Sequence, residues 1–446
     1  MSADKIGMDH KYNVAEVRTK FPAIEKAAGK LIYFDNACSV LKPESVISSV
    51  NSWLMENGSC GGGRSAHYLA AETDALCENA RSAVAKFAGA DPDEVIFTGN
   101  TTDAVNLAAS AFQFLPEKNE AVIFAGSHHS LMLPFIEQGK KGHCLIRLAG
   151  LEQSISLPEE EILGMIGEKT AIVALPMASN ITGQYFSLDR IIKKAHKHGA
   201  YVLADAAAFI PCHVPPWAVP DIGDSCGGQG TYGLPVSQSA KKIAGKSAES
   251  HERPDFLAFS GHKIGSLPAG ALICRRHVFS RMGGYSAGGG TVSSVVASSA
   301  GIAADYLPGR RRYEAGIQNY PGIISFGEAS RFIMSLGRGN IFRHVSRLSA
   351  ILREALSVMP ICVIGSSQSS IVSFYFKDKE ISVQDFGIFL GMQERKVCLR
   401  IGLHCSMPAL RLAGIKEVAR VSLYAYNSEE EISFFIQSLR KFLMLC

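Results

Sequence analysis

The residues with the clearest chemical potential are Ser260-Gly261-His262-Lys263, which follow an apolar run from Phe256 to Phe259. The run reads as a buried strand ending in a turn. A lysine placed there has its amine at the carboxyl edge of a sheet, where open α/β folds keep their ligand sites. Where the surroundings favour the neutral amine, it can form a Schiff base. A second apolar run, Tyr201 to Ala204, ends in Asp205. A buried acid and a lysine on neighbouring strand ends suit pyridoxal 5′-phosphate (PLP), whose carbonyl needs a lysine and whose ring nitrogen needs an acid. Asp205 would stay ionised against the pyridinium nitrogen.

Other residues fit round such a ring. Val95 to Thr98 reads as a strand, Gly99 to Thr102 as a turn and Asp103 to Phe114 as a helix. Backbone N–H groups and the hydroxyls of Thr101 and Thr102 then meet at a helix N-terminus, a natural phosphate site. Ser260 and His262 can add contacts. His128 follows the strand Ala121 to Ala125, where an imidazole can stack on the ring and move protons. His128 and His129 are adjacent, so on an extended chain they point apart, and no metal is expected. Asn180, in Ala178-Ser-Asn-Ile-Thr-Gly183, is a polar contact or a plain turn residue.

Near the C-terminus, Cys405 stands in Arg400-Ile-Gly-Leu-His-Cys-Ser-Met-Pro408. Basic neighbours such as His404 and Arg400 make a thiol more nucleophilic by raising its thiolate fraction. Arg420 lies inside an apolar strand, Ala419 to Tyr424. A buried guanidinium needs a carboxylate partner, either from the protein or from a substrate held by two parallel hydrogen bonds.

These residues must be positioned by alternating strands and helices. Thr170 to Pro176 reads as a further strand, followed by a helix with Ser187 as N-cap and Gly199 as its stop. Strand–helix repetition from residue 31 to about 300 argues for a mostly parallel sheet covered by helices. Residues 218 to 253, rich in Gly, Ser, Lys and Pro, read as a surface insertion. From about 325 the pattern changes. A long helix (325 to 358) precedes strands at 370 to 376, 397 to 400 and 418 to 424, with helices near 383 to 391 and from Ser428. We therefore expect an N-terminal segment (1–30), a large α/β domain (31–325) and a smaller α+β domain (326–446).

Composition sets the class. Of 446 residues, 47% are apolar and 19% charged, and the net charge of +4 is too small to imply nucleic-acid binding. No run of 18 apolar residues suggests a membrane span, and no apolar leader follows the N-terminus. The eleven cysteines lack CxxC or zinc spacing, which suggests free thiols in a reducing, cytoplasmic setting.

With these residues together, the chain resembles the class V, fold-type I PLP enzymes, and among them the cysteine desulfurase/selenocysteine lyase group of the SufS type. The resemblance runs from about Phe21 to the C-terminus. It rests on Tyr33-Phe-Asp-Asn-Ala37, Arg64-Ser-Ala-His67, Thr101 to Asn106, His128-His129, Ser260 to Lys263, Tyr313-Glu-Ala-Gly316 and Arg400 to Pro408. It implies a seven-stranded sheet and a homodimer, with the Gly-rich hairpin near 288 to 295 reaching its partner. Lys263 would hold PLP, Asp205 its ring nitrogen, His128 its face, and Thr102, Ser260 and His262 its phosphate. Arg420 would bind the substrate carboxylate, with Asn180, Arg400 and Arg64 shaping the site. Cys405 would take sulfur from L-cysteine or selenocysteine and pass it to an acceptor protein.

The departures are Ala208 for the usual Gln, Ile317 for Thr, Leu403 for the first His of a pair, and Ile264-Gly-Ser-Leu-Pro268 after the lysine. They leave open a selenocysteine lyase, a C–S lyase, an epimerase or a binding partner without catalysis.

Overall fold

The computed structural model describes residues 12–63, 65–152, 155–220, 252–365 and 369–446. Seven strands form one sheet. Their order is Val95–Thr98, Gly270–Cys274, Phe256–Ser260, Tyr201–Asp205, Thr170–Pro176, Glu120–Phe124 and Leu145–Ala149. Only Gly270–Cys274 runs antiparallel to its neighbours. Every residue of Thr170–Pro176, Phe256–Ser260 and Gly270–Cys274 is buried. Helices cover both faces of such a sheet, so its strands read as unbroken apolar runs. Gly270 is required by a close approach: a Cβ there would stand 2.5 Å from the Asn100 carbonyl carbon, at the start of the Thr101–Ala111 helix.

A second, antiparallel sheet has the order Ile361–Ile364, Ile371–Phe376, Val418–Ser422, Arg400–Gly402. The segment from Leu31 stitches to it. Leu31–Tyr33 pairs with Lys396–Cys398, and Asp35 bridges Ser422. The Asn36 amide donates to the Ser422 carbonyl at 2.7 Å, and Asn427 donates to the Tyr33 carbonyl at 3.0 Å. Nearer the N-terminus, Arg18 pairs with Glu431 at 2.7 Å.

Several boundaries differ from the sequence reading. The helix after Thr170–Pro176 spans Asp189–Lys197, and its N-cap is Leu188 with no side-chain bond, so Ser187 does not cap it. Gly199 does take the left-handed conformation, with φ 62°. The phosphate-side helix is Thr101–Ala111, capped by the Asn100 side chain, because Phe112 turns to extended backbone. The long helix is two, Tyr320–Leu336 and Arg338–Ser357, broken at Gly337 with φ 77°. The strand expected at 397 to 400 is likewise two, split between different sheets. Ser428 caps the last helix, Glu429–Leu443, in a reciprocal capping box with Glu431. The strands Leu31–Tyr33, Leu145–Ala149, Gly270–Cys274 and Ile361–Ile364 are additions to the sequence reading, and the expected hairpin is formed by Val292–Ser298 and Gly301–Tyr306. Residues 221–251 of the expected insertion lie outside the described residues.

The Glu314 carboxylate ties the sheet edge to a helix. It accepts two bonds from Arg81 at 2.8 and 2.9 Å and one from the Phe97 N–H at 2.8 Å. Arg81 is 4% exposed. Removing one member of a buried pair strands the other charge. Glu314→Ala should therefore cost about 3–5 kcal/mol, read as a lower urea midpoint. An unchanged midpoint would show that the pair is not structural.

Candidate active site

The carboxyl ends of the central strands open into a cavity of about 240 Å³. A single water takes only about 10–15 Å³ on this measure, so a sizeable ligand fits. Both sheets and the Leu31 segment contribute to its wall. Asp205 ends its strand, and Lys263 sits in the short 3-10 turn Gly261–Ile264 that follows Phe256–Ser260. Both line the cavity, as do Thr101, Thr102, His128, Asn180, Ser260, His262, Arg400, Cys405 and Arg420. Arg64 lies outside the described residues.

Burial dominates the electrostatics. It lowers the Lys263 pKa, against the opposing pull of Asp205, and so favours the neutral amine. It raises Asp205, a rise that the Lys263 charge offsets in part. One Asp205 oxygen accepts from the Ala207 N–H at 2.9 Å. His128 is pushed down to about 3 by burial and then by the Lys263 charge. Its Nδ1 accepts from the Ser130 N–H at 3.1 Å, which leaves the proton on Nε2 and fixes the ring. His262 falls to about 4 for the same two reasons. The Thr101 N–H donates to the Ser260 hydroxyl at 2.7 Å, and Thr102 and Ser130 share a hydroxyl contact at 2.6 Å. Hydroxyls and helix N–H groups thus converge at one end of the cavity.

The Cys405 loop closes the other end. His404 and Cys405 have φ of 49° and 55°, a conformation that residues with a side chain rarely take. Four hydrogen bonds to Asn180 and His129 help to hold the loop. The Asn180 amide donates to the His404 carbonyl and accepts from the Ser406 hydroxyl, each at 2.9 Å. The His129 N–H donates to the Cys405 carbonyl at 2.8 Å, and the Met407 N–H to His129 Nε2 at 3.2 Å. Cys405 itself is exposed.

Two sequence expectations change here. His404 is lowered to about 3, by burial and then by Arg420, so its ring is neutral and bonds Val418. It brings no positive charge to the thiol. Arg400 donates to the Cys38 sulfur at 2.9 Å, a residue the sequence reading passed over. Asp35 was also missed. It meets Arg420 at 3.4 Å and supplies the carboxylate that a buried arginine requires. The search for that carboxylate could have found it in Tyr33-Phe-Asp-Asn-Ala37. Arg420 also donates to the Asn180 carbonyl at 3.1 Å, while its Nε has no partner. The Arg420 side chain lines the cavity, where a guanidinium can hold a carboxylate. Asn180 therefore braces Cys405 and Arg420 together.

The residues fit PLP: a neutral-leaning lysine, a buried acid, an imidazole with a fixed ring, and hydroxyls at a helix N-terminus. Ala208 lines the same cavity without a polar side chain, and Ile317 is 73% exposed. Among the described residues no group of side chains is arranged to hold a metal ion, and no helix is long and apolar enough to cross a membrane.

Known proteins agree on the fold and its class. The family profile "Aminotransferase class-V" matches residues 32–215 and 246–435. A probable cysteine desulfurase of Mycolicibacterium paratuberculosis is 29% identical over 96% of this chain, which spans 58% of that protein's length. A cysteine desulfurase of Shigella sonnei is 27% identical, covering 96% of this chain and 98% of its own. Among solved structures, the apo cysteine desulfurase of Thermococcus onnurineus superposes with a TM-score of 0.81 at 25% identity, over 97% of this chain and 98% of that one.

Two predictions follow from the geometry. Asn180→Ala removes two bonds to the Cys405 loop, each worth about 1 kcal/mol. Amide exchange in residues 403–407 should then rise by about tenfold or more, with the seven-stranded sheet unchanged. Equal exchange in the variant would dismiss the bracing role. The second concerns acid. His128, His262 and His404 are held neutral when folded, whereas the unfolded chain binds protons below about pH 6.5. Their contribution to stability is complete above that pH and is lost as pH falls towards about 4 and then about 3. The urea midpoint should fall from neutral pH to about pH 5; a midpoint that holds or rises contradicts this.

Proposed function

The chain belongs to the class-V aminotransferase family, and from that premise we propose that it is a PLP-dependent cysteine desulfurase. It converts L-cysteine to L-alanine and carries the sulfur as a persulfide on Cys405. The observation that carries this reading is an exposed thiol braced over the cavity that holds Lys263, Asp205 and Arg420. The names of the curated relatives support it.

Bound PLP would supply an aldehyde carbon for amines and a ring that accepts electrons. The chain's own residues do the rest. Lys263 would hold it, Asp205 would face the ring nitrogen and His128 the ring's surface. Thr101, Thr102, Ser260 and His262 would hold the phosphate. The neutral Lys263 amine can take a proton from the substrate Cα at Nζ and return it, because burial weakens its hold on a proton. Arg420, which lines the cavity, would grip the substrate carboxylate with its guanidinium. Its contact with Asp35 is long enough to yield to a closer carboxylate.

The Cys405 sulfur then attacks the substrate sulfur, and the C–S bond breaks. The electron pair stays with the carbon, which is protonated to give alanine. The thiol becomes a persulfide. Selenocysteine would enter the same site. The exposed thiol leaves the sulfur open to an acceptor protein. The exposed Val295, Val296 and Ile302 on the hairpin suit pairing with a second copy.

Purified protein loaded with PLP should form alanine from L-cysteine. Cys405→Ala should reduce that rate by at least about 100-fold while retaining PLP absorbance. An unchanged alanine rate in the variant would remove Cys405 from the reaction. Pyruvate in place of alanine would replace the desulfurase reading with a lyase.

A further inference from the structure

The cavity holds two thiols. Cys38 lines it together with Cys405, Lys263, Arg400 and Arg420. Cys405 is exposed, whereas Cys38 is half-buried. Cys38 is also polar in its contacts. Its sulfur accepts from the Arg400 guanidinium at 2.9 Å. A cysteine that only fills space has no need of a cation at its sulfur. Arg400 and Arg420 give this cavity two guanidinium groups that can attract an anionic ligand. Asp35 pairs with Arg420 at 3.4 Å.

Resting on the desulfurase reading, we propose that Cys38 is a second sulfur-carrying thiol, which takes the sulfane sulfur from the Cys405 persulfide and shelters it inside the cavity. The step is a thiol–persulfide exchange. The half-buried Cys38 thiol gives its proton to water, and its sulfur attacks the outer sulfur of Cys405. A new S–S bond forms on Cys38, and the old one breaks with its electron pair returning to Cys405. That thiolate takes up a proton. Nothing is oxidised or reduced overall, so no further reagent is required. The added sulfur extends the reach of Cys405 by about 2 Å. Arg400 already directs an N–H at the Cys38 sulfur, and a charge-assisted bond of this kind favours a persulfide anion. The exchange is reversible, so the exposed Cys405 still hands sulfur outward when an acceptor arrives.

The test maps sulfur on the PLP-loaded protein. The holoenzyme is freed of reductant, given an equimolar amount of L-cysteine, alkylated at intervals, digested and analysed by mass spectrometry. The expected result is sulfane sulfur first on the Cys405 peptide and then on the Cys38 peptide. In Cys405→Ala neither peptide carries it. In Cys38→Ser the persulfide stays on Cys405, and an added small thiol strips it at least about threefold faster than in the parent protein. Stoichiometric alanine with sulfur on Cys405 alone, at all times, overturns the proposal and leaves the desulfurase reading standing. A Cys38–Cys405 disulfide with free sulfide also overturns it, since the sulfur would have been expelled. No alanine and no sulfur on either thiol overturns both.

Discussion

One side chain joins the parts of this site. Asn180 stands in the turn after the strand Thr170–Pro176, on the edge of the seven-stranded sheet. Its amide binds both sides of the Cys405 loop, and its carbonyl takes a bond from Arg420 on the four-stranded sheet. Asn180 is 8% exposed, so these bonds form in a low-dielectric setting where an unpaired partner is costly. The Cys405 thiol, Arg420 and the strand end that carries Asn180 are thereby fixed to one another. Neither sheet could hold this arrangement alone. The Leu31 segment adds a second tie, since it pairs with Lys396–Cys398 and then delivers Asp35 and Cys38 to the cavity.

The charge balance of the cavity follows from the same packing. Lys263, Arg400 and Arg420 all face it, with Asp205 and Asp35 as the counterions. The imidazoles among them are neutral, because burial and neighbouring cations act on them in the same direction. Phosphate and carboxylate groups are what such an excess of cation donors would attract. A neutral His128 also has no charge to repel a cationic ring. The site separates its tasks by environment. Burial keeps the lysine near its neutral state, while Asp35 pairs with Arg420 and the Cys38 sulfur takes a bond from Arg400.

The sequence exposed the parts of this design that depend on local pattern. Buried strands such as Phe256–Ser260 and Thr170–Pro176 are continuous apolar runs, and the lysine and acid at their ends were legible for that reason. The start of the last helix near Ser428 was legible to within one residue. What could not be read is what depends on distant partners. Asn180 looks like a turn residue until the Cys405 loop is laid against it. Asp35 belongs to Arg420 only across 385 residues of chain. Gly337 looks harmless inside a helical pattern, yet its positive φ divides that helix in two. His404 looks like a cation beside a thiol, but burial makes it neutral and turns it to Val418.

The strained loop gives the last step. A nucleophilic thiol must be exposed to meet a partner, but it must also be aimed at a substrate within the cavity. A flexible loop achieves the first and forfeits the second. Here His404 and Cys405 are both held in left-handed backbone, which costs about 1–3 kcal/mol per residue. The four bonds from Asn180 and His129 are of comparable total worth, about 1 kcal/mol each. Strain and bracing are therefore closely matched. The His404 bond to Val418 and the Ser406 N–H bond to the Leu403 carbonyl add to the bracing, so the thiol is aimed by its loop while remaining exposed.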